Sequence, residues 1–141
     1  VNFVMNDKCA AGTGRFLDVM ASILRLDVGD LDTEAAKAAA PAAISSTCTV
    51  FAESEVISQL ANGVRRPDLV AGICRSVASR VASLARRAGV TEQVCLSGGV
   101  ARNDAVRQAL SEELNVPVSV DPLAQYFGAI GAALWAWKQM T

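Results

Sequence analysis

The sequence contains no histidine among its 141 residues. That absence removes the commonest general base and the commonest metal ligand of proteins, so thiolates are the expected ligands of any bound metal. No apolar run approaches the roughly 18 residues that a membrane-spanning helix needs, and we expect no membrane association. Basic residues are no more numerous than acidic ones, at 13 against 14, and do not gather in one stretch. A nucleic-acid-binding groove is therefore not expected.

The composition is that of one apolar, alanine-rich domain covering residues 1–141. The hydrophobic fraction is 52%, the mean hydropathy is +0.31 and the formal net charge is −1. Four cysteines without a signal peptide do not resemble a secreted disulfide framework, so a cytoplasmic location is expected. Because the sequence opens on Val1 inside a predicted strand, with no initiating methionine, we expect a fragment of a longer protein.

Hydrophobic periodicity predicts helices alternating with short strands. The predicted strands lie at 1–5, 93–97 and 117–120, and the predicted helices at about 13–26, 33–40, 48–61, 67–88, 103–114 and 122–138. This alternation indicates an α/β domain, rich in helix, with a short three-stranded sheet and parallel elements.

Cys9 and Cys48 each lie in a polar, small-residue loop that precedes a predicted helix. A helix N-terminus offers unpaired backbone N–H groups and the positive end of the helix dipole, and both favour the thiolate. Two such cysteines supply half of the ligands that an iron–sulfur cluster or a structural zinc ion needs. The alternative is that both are ordinary buried thiols, which is how we interpret Cys74 and Cys95.

Two glycine-containing segments also precede predicted helices. Gly12-Thr13-Gly14 is a small-residue turn, and Gly98-Gly99 follows a predicted strand, where the glycines could lie flat against a base or ribose. Neither segment matches a P-loop or the longer dinucleotide-binding pattern. A plain tight turn remains an alternative for both. The small residues of 125–133 indicate close helix packing or one wall of a nucleotide pocket.

Four segments, 6–17, 46–58, 96–103 and 122–134, occur in an order that resembles one known family. It comprises the ATP-dependent activators of 2-hydroxyacyl-CoA dehydratases and the ATPase subunits of benzoyl-CoA reductase, the BadF/BadG/BcrA/BcrD ATPase family. The resemblance implies a ribonuclease-H-like domain of the actin, heat-shock-chaperone and sugar-kinase ATPase fold. Residues 1–141 would then form most of the second lobe of a two-lobed ATPase.

The resemblance further implies a homodimer with one [4Fe-4S] cluster between its subunits, held by Cys9 and Cys48 of each. In the full-length parent, hydrolysis of ATP with Mg²⁺ would drive one electron into a dehydratase or a benzoyl-CoA reductase. No residue is assigned a catalytic role. Contacts with the nucleotide, ATP or ADP, are expected from Gly98, Gly99 and Asn103. Gly12, Thr13 and Gly14 would either join them or support the cluster loop.

One departure from the family pattern limits what the chain can do alone. The acidic, glycine-rich loops that hold the phosphates in this family are absent from the sequence, so we expect no ATPase activity from the fragment. Two alternatives remain open. One is a kinase-like nucleotide-binding half-domain without metal, and the other is a dimerising module or one that holds structural zinc.

Overall fold

A computed structural model describes residues 2–6, 9–45 and 48–140. Within that part of the chain, six α-helices and two short strands follow one another. They are α1 (Gly14–Ile23), α2 (Leu31–Ala35), α3 (Thr49–Ala61), α4 (Arg66–Ala88), β1 (Val94–Cys95), α5 (Asp104–Leu114), β2 (Val118–Ser119) and α6 (Phe127–Met140). Single 3₁₀ turns lie at Val28–Asp30, Gly99–Arg102 and Ala124–Tyr126.

Helix α4 is the central element, and its ends follow from local sequence. Pro67 lies in its first turn, where a missing N–H costs nothing, and Gly89 ends it with a φ of +94°. Its apolar stripe is buried against α1, α2 and α3 in the main core, and a second, smaller cluster lies between α4, α5 and β2. The buried α4 side chains are Leu69, Val70, Ile73, Cys74, Val77, Ala78 and Ala82.

The sheet is smaller than the sequence predicts. β1 and β2 pair in parallel, with Val94 opposite Val118, and α5 makes the crossover between them. Residues 2–6 form no strand, so the prediction of a third strand at 1–5 is wrong for the part that the structure describes. Because β1 has no second neighbour there, Cys95 is exposed, and its interpretation as a buried hydrophobe is also wrong.

The segment 39–45, which we call the strap, follows α2 and contains neither helix nor strand. Asp68 in the first turn of α4 holds one end, because its Oδ1 accepts from Ala39 N at 2.8 Å and its carbonyl oxygen accepts from Ala42 N at 2.8 Å. Helix α3 holds the other end, where Ser45 N donates to Glu55 Oε1 at 3.0 Å. Hydrogen bonds to α4 and α3 thus hold both ends of the strap.

Glu34 connects α2 to α4 through a buried carboxylate. Lys37 Nζ donates to its Oε2 at 2.7 Å, and Arg66 Nε donates to its Oε1 at 2.8 Å. The hydrogen bond from Lys37, followed by that from Arg66, lowers the pKa of Glu34 below its usual value. The pair of cations therefore keeps this carboxylate ionised in the folded chain.

Helix α6 differs from the other helices in its surroundings. It begins later than the predicted position of 122, directly after the turn Ala124–Tyr126. Every residue from 127 to 140 is exposed. Among the described residues, no helix is both long enough and apolar enough to cross a membrane.

Candidate functional site

Cys9 lies in a tight turn that leads into α1. Thr13 closes the turn, since its backbone N–H donates to Ala10 O at 3.0 Å and its hydroxyl donates to the same oxygen. Asn6 Nδ2 donates to Ala11 O at 3.0 Å from the preceding segment. Cys9 itself is exposed, and Ala11 N donates to its Sγ at 3.5 Å. The turn therefore presents a sulfur atom to solvent while a backbone amide faces it.

Cys48 occupies the N-cap position of α3 and is half-buried. Its carbonyl oxygen accepts from Ala52 N at 2.9 Å, which is the first bond of the helix. The sequence offers Ser46 or Thr47 as N-cap, but both lie outside the described residues. Both predicted cluster ligands thus precede helices, Cys48 directly and Cys9 across the turn of residues 10–13.

Helix α4 packs against the Cys9 turn through Arg80. Gly12 has a φ of +74°, and a Cβ atom added there would lie 2.7 Å from Arg80 Cγ. Glycine is therefore required at this position twice over, by the backbone conformation and by the close approach of Arg80. Gly12 therefore has a structural role in the turn that carries Cys9.

An open cleft of about 580 Å³ lies beside the start of α1. Its walls come from α1, from the 3₁₀ turns at Val28–Asp30 and Gly99–Arg102, and from the first turn of α2. The residues that line it are Gly14, Leu17, Asp18, Asp27, Val28, Gly29, Asp32, Gly99, Val100, Arg102 and Asn103. The cleft thus brings together two segments that are far apart in the sequence.

The two glycine segments meet at this cleft. A Cβ atom on Gly14 would lie 3.3 Å from Val100 Cγ2. Gly98 needs its glycine because its φ is +90°, whereas Gly99 has no such φ and its added Cβ would meet no atom within 4 Å. Neither backbone conformation nor packing in the described chain explains Gly99, so the missing side chain leaves room in the cleft.

Asn103 combines a lining position with a structural task. Its Oδ1 accepts from Val106 N at 2.9 Å and so caps α5, while its Nδ2 lies 4.0 Å from Cys74 Sγ. Burial raises the pKa of Cys74 to about 12. The hydrogen bond with Asn103 acts in the opposite direction and has the smaller effect. The prediction that Cys74 is a buried hydrophobe is confirmed by this placement.

The structure distributes the predicted nucleotide residues over two places. Gly14, Gly99 and Asn103 line the cleft, and Gly98 forms the turn that precedes Gly99. Gly12 and Thr13 belong to the cysteine turn.

Sequence reasoning missed the charged residues of the cleft. They are Asp18, Asp27, Asp32 and Arg102. Asp18 lies four residues, or one helical turn, after Gly14, and so falls on the same side of α1. This spacing is the one sequence signal that could have indicated that Asp18 lines the cleft. Carboxylates accept hydrogen bonds from sugar hydroxyls, and a guanidinium can stack on a planar base. The cleft therefore carries groups that suit a nucleoside.

Cys9 and Cys48 are of the donor type that a thiolate-ligated metal cluster uses, and they are two of the four ligands that it needs. Over residues 2–6, 9–45 and 48–140, no group of three or more cysteine, aspartate or glutamate side chains could hold a metal. The exposed Cys9 sulfur accepts a backbone N–H, and hydrogen bonds of this kind to sulfur tune iron–sulfur clusters.

Comparison with known proteins identifies the family. Residues 1–136 match the family model described as the BadF/BadG/BcrA/BcrD ATPase family. The chain belongs to this family. It is 62% identical over 138 residues to the (R)-2-hydroxyglutaryl-CoA dehydratase activating ATPase of Acidaminococcus fermentans, a match that covers 98% of the chain and 53% of the relative.

Two further relatives of this BadF/BadG/BcrA/BcrD family member show the range of the match. The chain is 52% identical over 139 residues to the 2-hydroxyisocaproyl-CoA dehydratase activator of Clostridioides difficile, covering 99% of the chain and 52% of the relative. It is 35% identical over 142 residues to one of the benzoyl-CoA reductase subunits of Thauera aromatica, covering 94% of the chain and 49% of the relative. The chain spans about half the length of these curated relatives.

Solved structures of the family confirm the predicted fold class. The A. fermentans dehydratase component A superposes with a TM-score of 0.91 at 62% identity, covering 95% of the chain and 52% of that structure. The C. difficile activator with bound ADPNP superposes with a TM-score of 0.94 at 52% identity, covering 99% and 52%. The family member therefore has the activator ATPase fold, helix-rich with a small parallel sheet.

Proposed function

We propose that the chain is the cluster-binding lobe of an ATP-driven electron-transfer activator. Its partner would be an enzyme of the 2-hydroxyacyl-CoA dehydratase or benzoyl-CoA reductase type. The observation that carries this proposal is the pair of accessible thiols, Cys9 and Cys48, each preceding a helix. The named activities of the relatives support the partner class.

Cys9 and Cys48 would hold the cluster together with the same residues of a second copy. A two-fold axis doubles any pair of ligands, so an isologous dimer turns two thiolates into the four that a [4Fe-4S] cluster needs. When bound, such a cluster supplies one-electron redox chemistry. Val50 and Phe51 follow Cys48 and are exposed, so they offer apolar surface that a second copy could cover.

The protein's own contribution at the cysteines is electrostatic. The N-termini of α1 and α3 favour a negative group beside them by about 0.3–1 kcal/mol each, and by more where water is excluded. The backbone N–H of Ala11 donates directly to the Cys9 sulfur at 3.5 Å. These groups orient positive charge towards the thiolates without adding a titratable residue.

The cleft would bind the adenosine end of ATP or ADP. Gly99 leaves space for the base, Asp18 and Asp32 can accept hydrogen bonds from ribose hydroxyls, and Arg102 can stack on the base. The phosphates and Mg²⁺ would be held largely by acidic, glycine-rich loops of the full-length parent, one near the start of each lobe. The chain alone would therefore bind nucleotide without hydrolysing it.

Helix α1 offers a direct route between the two functions. Its first residue, Gly14, lines the cleft, and the Cys9 turn is hydrogen-bonded immediately before it. A nucleotide-dependent shift of α1 would therefore displace the Cys9 turn, which changes the surroundings of the thiolate or the surface offered to the partner. No protein nucleophile is needed for this coupling.

Anaerobic reconstitution with iron and sulfide tests the ligand assignment. We expect the chain to gain broad visible absorbance and a dimer mass with four irons, and expect Cys9→Ser or Cys48→Ser to lose both. Cys95→Ser is the matched control, because Cys95 is also exposed. A full dimeric cluster in either of the first two variants would overturn the assignment. Zinc instead of iron, or no metal under exclusion of oxygen, would favour the zinc module or the metal-free half-domain.

Binding of ADP tests the cleft separately. Gly99→Leu places a side chain where the free chain has open space, so folding should be unaffected while ADP affinity falls by about tenfold or more. Ser83→Leu, an exposed position on α4, is the control. Isothermal titration calorimetry measures both. Equal ADP affinity in Gly99→Leu and the parent chain would rule out this location.

A further inference from the structure

The hydroxyl of Thr49, the first residue of α3, is buried and has no hydrogen-bond partner among the described residues. A buried hydroxyl without a partner costs free energy, because it gives up its hydrogen bonds to water and gains none in exchange. Such groups are rare in folded proteins, and each one requires an explanation. An acceptor that lies outside the described chain would provide one.

The position of Thr49 indicates where that acceptor lies. Thr49 directly follows Cys48, the N-cap residue of α3 and a proposed cluster ligand. Ala52 and Val56 come three and seven residues after Thr49, so the three side chains share one face of the helix. Ala52 and Val56 are fully buried in the main core. Thr49 therefore lies on the inward face of α3, at the end that carries Cys48.

The chemistry of the groups selects the direction of the hydrogen bond. Thiolate and sulfide sulfurs only accept, whereas a hydroxyl can donate. Asn6, in the segment before Cys9, also has a buried oxygen without a partner in the described chain, its Oδ1. An amide oxygen only accepts, and Asn6 Nδ2 already donates to Ala11 O. Of these two buried oxygens, only that of Thr49 can donate to a cluster sulfur.

We propose that the Thr49 hydroxyl donates a hydrogen bond to a sulfur atom of the bound cluster and thereby raises the reduction potential of that cluster. The positive end of the O–H dipole stabilises the reduced cluster, which carries one more negative charge than the oxidised one. Hydrogen bonds to the sulfurs are among the factors that set cluster potentials. Thr49 thus tunes the electron donor without being a ligand. This inference rests on the cluster part of the proposed function.

Redox titration of the reconstituted dimer, monitored by EPR under exclusion of oxygen, tests the effect on the potential. Thr49→Val removes the hydroxyl and keeps the shape of the side chain. We expect the ratio of reduced to oxidised cluster at a fixed potential to fall about tenfold, which corresponds to about 59 mV for a one-electron couple. Thr49→Ser keeps the hydroxyl and should match the parent. Thr33→Val, at an exposed position of α2, is the matched control and should leave the potential unchanged.

Pulsed EPR in heavy water tests the hydrogen bond itself. An exchangeable deuteron close to the reduced cluster gives a hyperfine coupling. We expect one such coupling in the parent and in Thr49→Ser that is absent from Thr49→Val, while the couplings of backbone N–D groups remain in all three. An unchanged potential in Thr49→Val would overturn the inference. A shifted potential with an unchanged set of couplings would overturn it as well, since altered packing would then be the cause.

The metal-free chain supplies an independent readout. Because the hydroxyl has no partner in the described chain, Thr49→Val should not lower the urea concentration at the midpoint of unfolding. A clear decrease in that midpoint, beyond any decrease in Thr33→Val, would show that the hydroxyl is bonded within the chain and would contradict the inference.

Iron content separates the failure of this inference from the failure of the proposed function. We expect the parent, Thr49→Val and Thr49→Ser to bind the same amount of iron, because Thr49 is not a ligand. A parent chain that takes up no cluster overturns both proposals. A loaded parent whose potential and couplings are unaffected by Thr49→Val overturns only the role of Thr49. Loss of iron from Thr49→Val alone would show that Thr49 is needed to hold the cluster, and would overturn the tuning role.

Discussion

Gly72 of α4 lies directly against the carbonyl oxygen of Ala42 in the strap. A Cβ atom added to Gly72 would be 2.1 Å from that oxygen, a distance at which the backbone itself must move. The strap precedes Cys48 in the sequence by three residues. The contact makes Gly72 a position where helix propensity and packing oppose each other.

Gly72→Ala should destabilise the chain although alanine favours helices. Overpacking against backbone costs about 1–3 kcal/mol, which exceeds the propensity gain of up to about 1 kcal/mol. Gly131→Ala is the matched control, since it lies in a helix with open space around it and should stabilise the isolated chain. Urea unfolding measures both. Stabilisation by both substitutions would show that the strap moves away at no cost.

Gly12→Ala should loosen the turn that carries Cys9. The substitution combines an unfavourable positive φ with a clash against Arg80 Cγ, and we expect a loss of about 2 kcal/mol or more. Gly63→Ala has a similar φ of +85° but no atom within 4 Å, so it isolates the backbone cost. In urea unfolding, Gly12→Ala should lose more free energy of unfolding than Gly63→Ala, and the difference is the cost of the clash with Arg80. Equal losses would mean that Arg80 does not support the turn.

Glu34→Gln should make stability less dependent on pH in the acid range. The pKa of Glu34 is lowered in the folded chain, so the unfolded chain binds the proton more tightly, and the stabilisation is lost as pH falls through the folded pKa. At pH 7 we expect the variant to lose about 1 kcal/mol. Between pH 7 and pH 3, the free energies of unfolding of the parent chain and of Glu34→Gln should converge. A constant difference across this range would exclude the ion pairs as the cause.

Cys74 should resist alkylation in the native chain. Burial and a pKa of about 12 keep this thiol protonated and out of reach, whereas Cys9, Cys48 and Cys95 are accessible. With iodoacetamide at pH 8 we expect Cys74 to react about a hundredfold more slowly than Cys95, and at a similar rate after unfolding in urea. Peptide mass spectrometry resolves the four sites. Fast native labelling of Cys74 would reveal local opening between α4 and α5.

Helix positions could be predicted from the sequence because their signals are local. Pro67 and Gly89 bound α4 within one residue of the predicted ends, and Asn62 ends α3 as expected. The predictions of a strand at 1–5, for the residues from 2 onward that the structure describes, and of a buried Cys95 were wrong for a common reason. A strand depends on a neighbour to pair with, and residue patterns do not show whether that neighbour is present.

The candidate site was only partly predictable. The glycines and cysteines stand out because they are unusual residues before helices. The carboxylates of the cleft do not, since Asp27 and Asp32 resemble ordinary surface residues until the fold brings them opposite Gly99. The same holds for Arg80, which lies in the middle of α4 and meets the Cys9 turn only through tertiary packing.

Helix α4 touches the Cys9 turn at Gly12, through Arg80, and the strap at Ala42, through Gly72. Along a helix these two supports are separated by about 12 Å and by a fixed rotation. The distance between the two contacts and the rotation between them therefore depend on the number of helical residues that separate them. Exchanging side chains does not change either quantity. Point mutations between 73 and 79 would preserve this spacing, whereas deleting a single residue there would turn one support by about 100° away from its segment.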